Sequence, residues 1–301
     1  MNRPGPSGGF FDLVTTLAFP YRGLVHACRD YNLAMDRPEI WDTSDWIRKA
    51  AFRGPFWGAA CILSRYGNLE IVAAQSDGAL AHFWLNGIHG WRGPAFLPGR
   101  VEGPPAFIQG RFGSFGNFEV IVPRLGGGLS HFWRENDRSV TWHEAPPPTR
   151  EGRWSGVGFI HNNEGNLELA GVKEGVLVSM WQHGVGGVWF ETVIEKGFVG
   201  RPSLIQNDSS DGGCVELIAA GKNGGLHCFY RATTNTYQWC KERTIAEHEP
   251  RVDFDDITIL QSNQKRLEMA ARRTNDGALS LVHYRRNGGG SWESPNKIVC
   301  Y

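Results

Sequence analysis

Residues 127–142 read GGLSHFWRENDRSVTW. A Gly-Leu entry, an alternating run through Trp133, a charged knot and a second Trp, Trp142, make one hairpin-sized unit. The chain repeats it. Upstream stands DGALAHFWLNGIHGW, from Asp77 to Trp91. Downstream stand EGVLVSMWQHGVGGVW (Glu174 to Trp189), GGLHCFYRATTNTYQW (Gly224 to Trp239) and DGALSLVHYRRNGGGSW (Asp276 to Trp292), and a weaker copy runs from Arg22 to Trp41. Each follows an apolar run carrying one acid: Asp12, Glu70, Glu119, Glu168, Glu216 and Glu268. A recurrence every ~50 residues is the signature of a repeat architecture.

The third copy shows what one repeat folds into. PPAFIQGRF reads as a strand, GSFGN as a turn, FEVIVPR as a second strand, LGGG as a turn, LSHFWRE as a third strand, and TWHEAPP opens a fourth. Gly and Asn supply the positive φ that tight antiparallel turns need. A lone four-stranded sheet buries too little; sheets stacked face to face round an axis bury both faces. The expected fold is all-β: a six-bladed β-propeller of about four-stranded antiparallel blades, the first lacking a clear inner strand. One domain, 1–301, is expected, with repeats at about 10–53, 54–103, 104–153, 154–200, 201–250 and 251–301. Inner strands are expected at 55–63, 104–110, 154–160, 201–206 and 253–260. Small residues recur there (Gly58, Ala59, Ala60, Gly156, Gly158, Ser203), as a crowded axis requires.

Composition narrows the partners. Lys+Arg and Asp+Glu both number 31 in 301 residues, so net charge makes no case for nucleic acid or an anionic membrane. No apolar stretch is long enough for a membrane span. The opening MNRPGPSGGFFDLVTT has no compact apolar segment of the secretory type, and a cytoplasmic location is expected. The six cysteines include no CxxC pair, so no metal and no other cofactor is expected. They read as reduced, small apolar side chains, although ring closure could bring Cys28 near Cys300. Asn207-Asp208-Ser209 is a formal glycosylation sequon, and Asp208, Asp211 and Gly212 loosely resemble a calcium loop better read as a turn. Nucleophile-elbow, P-loop, HExxH and dinucleotide-binding motifs are absent.

Positions shared by all blades hold the array together; a single site belongs where blades differ. The recurring Trp residues and the acid series read as scaffold, the acids bonding within a blade or to its neighbour. Counted from the Gly-Leu turn, one third-strand position reads His26, His82, His131, Ser179, Cys228 and Leu281. His82 and His131 are candidate substrate-binding residues; the alternative is a half-buried histidine bonded to a neighbour. The connectors into the inner strands each carry an arginine: Arg53, Arg100, Arg153, Arg201 and Arg251. Guanidinium forks suit carbonyl or enolate oxygens. Arg53, Arg153, Arg201 and Arg251 are the candidate catalytic donors, with Phe56, Trp57, Trp154, Phe198 and Phe254 as aromatic walls. The alternative is that they pair with Glu102, Glu151, Asp253 and Asp255 to fix loops.

The unit G-N-[LF]-E-[VIL]…[DG]-G-x-L-x-H-F-W…W, as in Gly67 to Trp91 and Gly116 to Trp142, resembles the repeats of lectin-like β-propellers, including bacterial fucose-binding propeller lectins. The version GGGLSHFWREND looks like diverged fungal members, among them hetero-Diels–Alderases that make sesquiterpenoid tropolones. That resemblance implies a cofactor-free pericyclase joining an apolar terpene alkene to an oxygen-bearing, quinone-methide-type heterodiene, with orientation and guanidinium donors supplying the rate. The alternative is a fucose-type sugar-binding propeller that stacks Trp faces on a glycan and has no catalytic role.

Overall fold

The computed structural model describes residues 10–17, 23–30, 56–86, 90–137, 139–184, 186–207, 213–232, 238–245, 252–261, 266–275, 278–286, 291–293 and 296–300. The chain forms two compact units, Met1–Arg150 and Glu151–Tyr301.

In the first unit, β1 (Phe10–Leu17) pairs with β2 (Gly23–Asp30). The second sheet is β3 (Phe56–Leu63), β4 (Leu69–Gln75), β5 (Leu80–Asn86) and β6 (Gly90–Leu97). The third is β7 (Ala106–Gln109), β8 (Phe118–Pro123), β9 (Leu129–Arg134) and β10 (His143–Thr149). In the second unit, the fourth sheet is β11 (Trp154–His161), β12 (Leu167–Lys173), β13 (Val176–Gln182) and β14 (Trp189–Lys196). The fifth is β15 (Phe198–Asn207), β16 (Cys214–Gly221), β17 (Leu226–Ala232) and β18 (Cys240–Ile245). The sixth is β19 (Val252–Gln261), β20 (Leu267–Asn275), β21 (Ala278–Arg286) and β22 (Asn296–Cys300). Each is an antiparallel meander in chain order, and one parallel bridge, Arg201↔Asp256, joins the fifth and sixth. The expected inner strands are β3, β7, β11, β15 and β19. The first sheet shows two strands among the described residues; Trp41 and whatever flanks the pair lie outside them.

Burial follows strand position. The second strand of a sheet is covered on both faces: β8 is buried at every residue, and β4 and β12 at all but the last. Such strands read as near-continuous apolar runs. The outer strands are largely solvated. β10 carries Pro146, Pro147 and Pro148, tolerable at an edge where no ladder donor is needed, and its register breaks between Ala145 and Thr149.

Neighbouring sheets pack through apolar layers. Val72, Leu80, Phe107, Phe118, Val120, Phe132 and Trp142 fill the space between the second and third. Ala170, Phe198, Leu204, Leu217 and Phe229 do so between the fourth and fifth, and Leu226, Phe254, Ile257, Met269 and Tyr284 between the fifth and sixth.

The inner strands approach more closely than side chains allow. A Cβ on Gly58 would meet Pro104 Cβ at 2.5 Å, and one on Gly158 would meet the Leu204 backbone nitrogen at 2.8 Å. This is why the sequence keeps these positions small. Polar straps reinforce the contact. Gln109 Oε1 accepts from the Arg65 N–H (2.8 Å) and Gln206 Oε1 from the Asn163 N–H (3.3 Å), each in the preceding sheet's first turn. Gln261 Nε2 donates to Asn207 Oδ1 (2.9 Å), and the Ile259 N–H donates to Ser203 Oγ (3.1 Å). Asn207 also donates to Glu216 and is 6% exposed, so the sequon's side chain is committed inside the fold.

Because Gly158 faces backbone rather than a yielding side chain, Gly158→Ala should cost ~1–3 kcal/mol. Urea denaturation followed by tryptophan fluorescence measures it.

Candidate functional site

Glu70, Glu168 and Glu216, on the second strands of their sheets, face the next sheet, and something must answer their charge. Side chains alternate across a strand, so Glu70 shares a face with Val72 and Ala74, toward the third sheet. Burial of an unpaired carboxylate is prohibitive. Two devices supply a partner. Within a sheet, His82 Nε2 lies 2.8 Å from Glu70 Oε2, His131 Nε2 2.8 Å from Glu119 Oε2, and His283 Nε2 2.8 Å from Glu268 Oε2. From the following sheet, an arginine at the end of the third strand reaches back. Arg231 donates through Nε (3.1 Å) and Nη2 to Glu168, and Arg286 Nη2 contacts both oxygens of Glu216 (2.5 Å). Arg134 Nη2 stands 4.0 Å from Glu70.

Each of these arginines also lies over an indole of its own sheet's outer region: Arg134 over Trp142 (5.8 Å), Arg231 over Trp239 (5.7 Å) and Arg286 over Trp292 (5.2 Å). Three clefts therefore share a glutamate, an arginine and a tryptophan.

The register corrects one sequence expectation. Glu119 lies opposite Trp133 and Glu268 opposite Arg285, which puts His283, not Leu281, at the His131 position. The β20–β21 hairpin is longer, so counting from its turn misplaces the third strand. Counting from the acid gives the true order: His82, His131, Ser179, Cys228, His283. Cys228 is buried, and burial pushes its thiol up to about 12, so it is a neutral filler. The side chains of Cys28 and Cys300, and the segment holding Asp208, Asp211 and Gly212, lie outside the described residues.

The cleft between the second and third sheets differs from the other two. There His82 occupies Glu70, and Arg134 is held loosely, donating to the Ser139 carbonyl (2.6 Å) instead. His82 is enclosed by rings: Trp84 at 5.2 Å, Trp142 at 5.5 Å, Phe107 at 6.1 Å and Phe118 at 6.3 Å. Three buried polar atoms here, His82 Nδ1, Arg134 Nε and Trp142 Nε1, and a fourth in the β9–β10 connection that carries Trp142, Asn136 Nδ2, have no hydrogen-bond partner among the described residues. With His82 Nε2–H donating to a carboxylate, its Nδ1 is an acceptor. Three donors and one acceptor, beside aromatic faces, match hydroxyl groups, which both give and take hydrogen bonds.

The remaining sequence candidates, where described, occupy different local environments. Arg53 and Arg251 lie outside the described residues. Arg201 is 7% exposed and its Nε donates to Asp256 Oδ1 (2.6 Å), so it clamps the fifth sheet to the sixth; loop-fixing by an acid, the alternative reading, describes it, with Asp256 as partner. Asp255 pairs instead with Arg272 (2.7 Å). Arg153 is exposed, as is Trp57 at 53%, while Phe56 is half-buried. Trp154 is buried, its indole N–H donating to the Glu151 carbonyl (3.1 Å). Phe254 is a core residue of the fifth–sixth interface, and Phe198 is a core residue of the fourth–fifth interface. The sequence analysis weighed His82 but not Arg134, Arg231 and Arg286, although FWR, FYR and YRR at the same strand end were a readable signal. No group of three His, Cys, Asp or Glu converges as a metal site among the described residues.

Comparisons place this arrangement in a known fold. No protein-family description matches the chain. A search of curated proteins finds no match. Solved structures do match. The BP39L lectin of Burkholderia pseudomallei superposes with TM-score 0.65 at 17% identity, over 96% of this chain and 81% of that one. The fungal lectin of Aleuria aurantia, described as a six-bladed β-propeller with a novel fucose recognition mode, superposes with TM-score 0.62 at 12% identity, over 97% and 96%. A polysaccharide lyase, an ulvan lyase, gives TM-score 0.54 at 12% identity, over 80% and 70%. The chain has the six-bladed β-propeller fold.

Burial lowers the His82 pKa below the ordinary imidazole value, against the opposing pull of Glu70. The unfolded chain then binds the proton more readily than the folded one. Stability is full above the unfolded pKa of ~6.5 and is lost as pH falls below it, with a limiting slope of ~1.4 kcal/mol per pH unit. Urea midpoints between pH 7.5 and 5 should show this loss, and His82→Gln should flatten it relative to the parent.

Proposed function

We propose that this protein binds carbohydrate, and that the cleft between the second and third sheets is its recognition site. The observation that carries the reading is the cluster of three donors and one acceptor at His82, Arg134, Asn136 and Trp142, buried beside aromatic rings and unmatched among the described residues. Leaving each such group unsatisfied costs ~1–3 kcal/mol, and a ligand that satisfies several at once recovers much of this. Sugars present hydroxyls of both polarities and a C–H face suited to an indole. Several neighbours in fold are named as lectins, among them the Aleuria aurantia lectin in complex with α-methyl-L-fucoside, and this adds support.

The hetero-Diels–Alderase reading draws on the same cleft. Its apolar lining, Phe107, Phe118 and Phe132, would take a terpene, and Arg134 would face a heterodiene carbonyl. It draws less support, because Arg201 is spent on Asp256 rather than free for a substrate.

A glycan array followed by calorimetry with α-methyl-L-fucoside tests the proposal. Trp142→Phe keeps an aromatic ring and removes the N–H; it should weaken the bound glycan at least tenfold, while unchanged far-UV circular dichroism and a cooperative, modestly lowered Tm show that the fold is retained. An empty array, together with cycloadduct formed from a tropolone precursor and a humulene-type alkene, would transfer the site to the pericyclase reading.

A further inference from the structure

A cavity of about 350 Å³ lies in the second unit and shares no lining residue with the Glu–Arg–Trp clefts. It is framed by the end of β14, the β14–β15 connection, the β16–β17 turn and β18, where the fourth and fifth sheets meet. Its chemistry is one-sided. Lys196 and Lys222 both line it, both are exposed, and neither has an ion-pair partner among the described residues. The one acid in the lining, Glu195, is already neutralised: Lys241 Nζ stands 2.7 Å from Oε1 and 2.9 Å from Oε2. The lining thus carries two uncompensated ammonium groups.

The rest of the wall suits hydroxyls. His227 Nδ1 hydrogen-bonds with Thr244 Oγ1 (3.3 Å), and the imidazole is propped edge-on against Phe198 at 5.3 Å. Two glycines make room for this pair. A Cβ on Gly221 would stand 2.6 Å from His227 Nε2, and one on Gly225 would stand 2.9 Å from Thr244 Cγ2. Asn223 adds an amide at the turn. The volume falls in the range of small-ligand pockets and far exceeds what a bare inorganic anion fills.

We infer that this cavity binds a polyhydroxylated carboxylate of monosaccharide size, a sugar acid, with Lys196 and Lys222 on the carboxylate and His227, Thr244 and Asn223 on hydroxyls. The inference rests on this cavity alone and is independent of the cleft described above.

Calorimetry of the full chain at low ionic strength, with glucuronate as probe and glucose and acetate as controls, decides it. Glucuronate should bind at least tenfold more tightly than either control and weaken several-fold as salt rises. The K196A/K222A double variant changes two exposed side chains, so Tm should hold while glucuronate affinity drops at least tenfold. Glucose binding as well as glucuronate, acetate binding as well as glucuronate, or a double variant that binds normally would each overturn the inference. Trp142→Phe should leave glucuronate binding intact, so failure here and failure of the cleft reading are told apart.

Discussion

A carboxylate buried between two sheets is the constraint on which the rest of this molecule depends. Glu70, Glu168 and Glu216 each sit on the most enclosed strand of a sheet, facing the next sheet. Removing a charge from water costs several kcal/mol even after relaxation, so every such acid forces a nearby cation or imidazole. The answer chosen decides the character of the cleft. Where the next sheet's arginine grips the acid directly, as Arg231 grips Glu168, the cleft is saturated and structural. Where a histidine of the same sheet takes the acid first, as His82 takes Glu70, the arginine is left loosely held and part of its donor set is unspent. One scaffold position thus yields two kinds of interface, and the unspent kind is the one with chemistry left over.

The inner edges of the sheets obey a different rule. There the limiting quantity is space, and the chain meets it with glycine at 58, 156 and 158 and with glutamine straps at 109, 206 and 261. The wider outer regions are filled by indoles. At the second–third, fourth–fifth and fifth–sixth interfaces, close backbone approach at the inner strands is matched by large rings farther out.

Much of this was legible in the sequence. The period, the four-stranded units, the small residues of the inner strands and the scaffold role of the acids all follow from local pattern, because each repeat is one local meander. The sixth repeat misled where it is irregular: its second hairpin is longer, Trp gives way to Arg285, and an alignment from the turn slips the third strand. The cleft was hidden for a different reason. His82, Arg134 and Trp142 belong to two sheets, and their meeting is set by register and stacking, which single-chain spacing does not encode. The connector arginines were read as a convergent set, yet Arg201 is claimed by Asp256, an acid just beyond the Asp253 and Asp255 the sequence reading weighed.

The direction of the arginine clasps has a consequence for synthesis. Arg231 lies 63 residues beyond Glu168, and Arg286 lies 70 residues beyond Glu216. On a ribosome each acid therefore emerges well before its cation, and a sheet just completed carries an unanswered charge until its successor is made. For these two pairs the later sheet supplies the charge that seals the earlier one, so the fourth sheet waits on the fifth and the fifth on the sixth. A nascent chain stalled between blades would be left with a wet, unsealed last face.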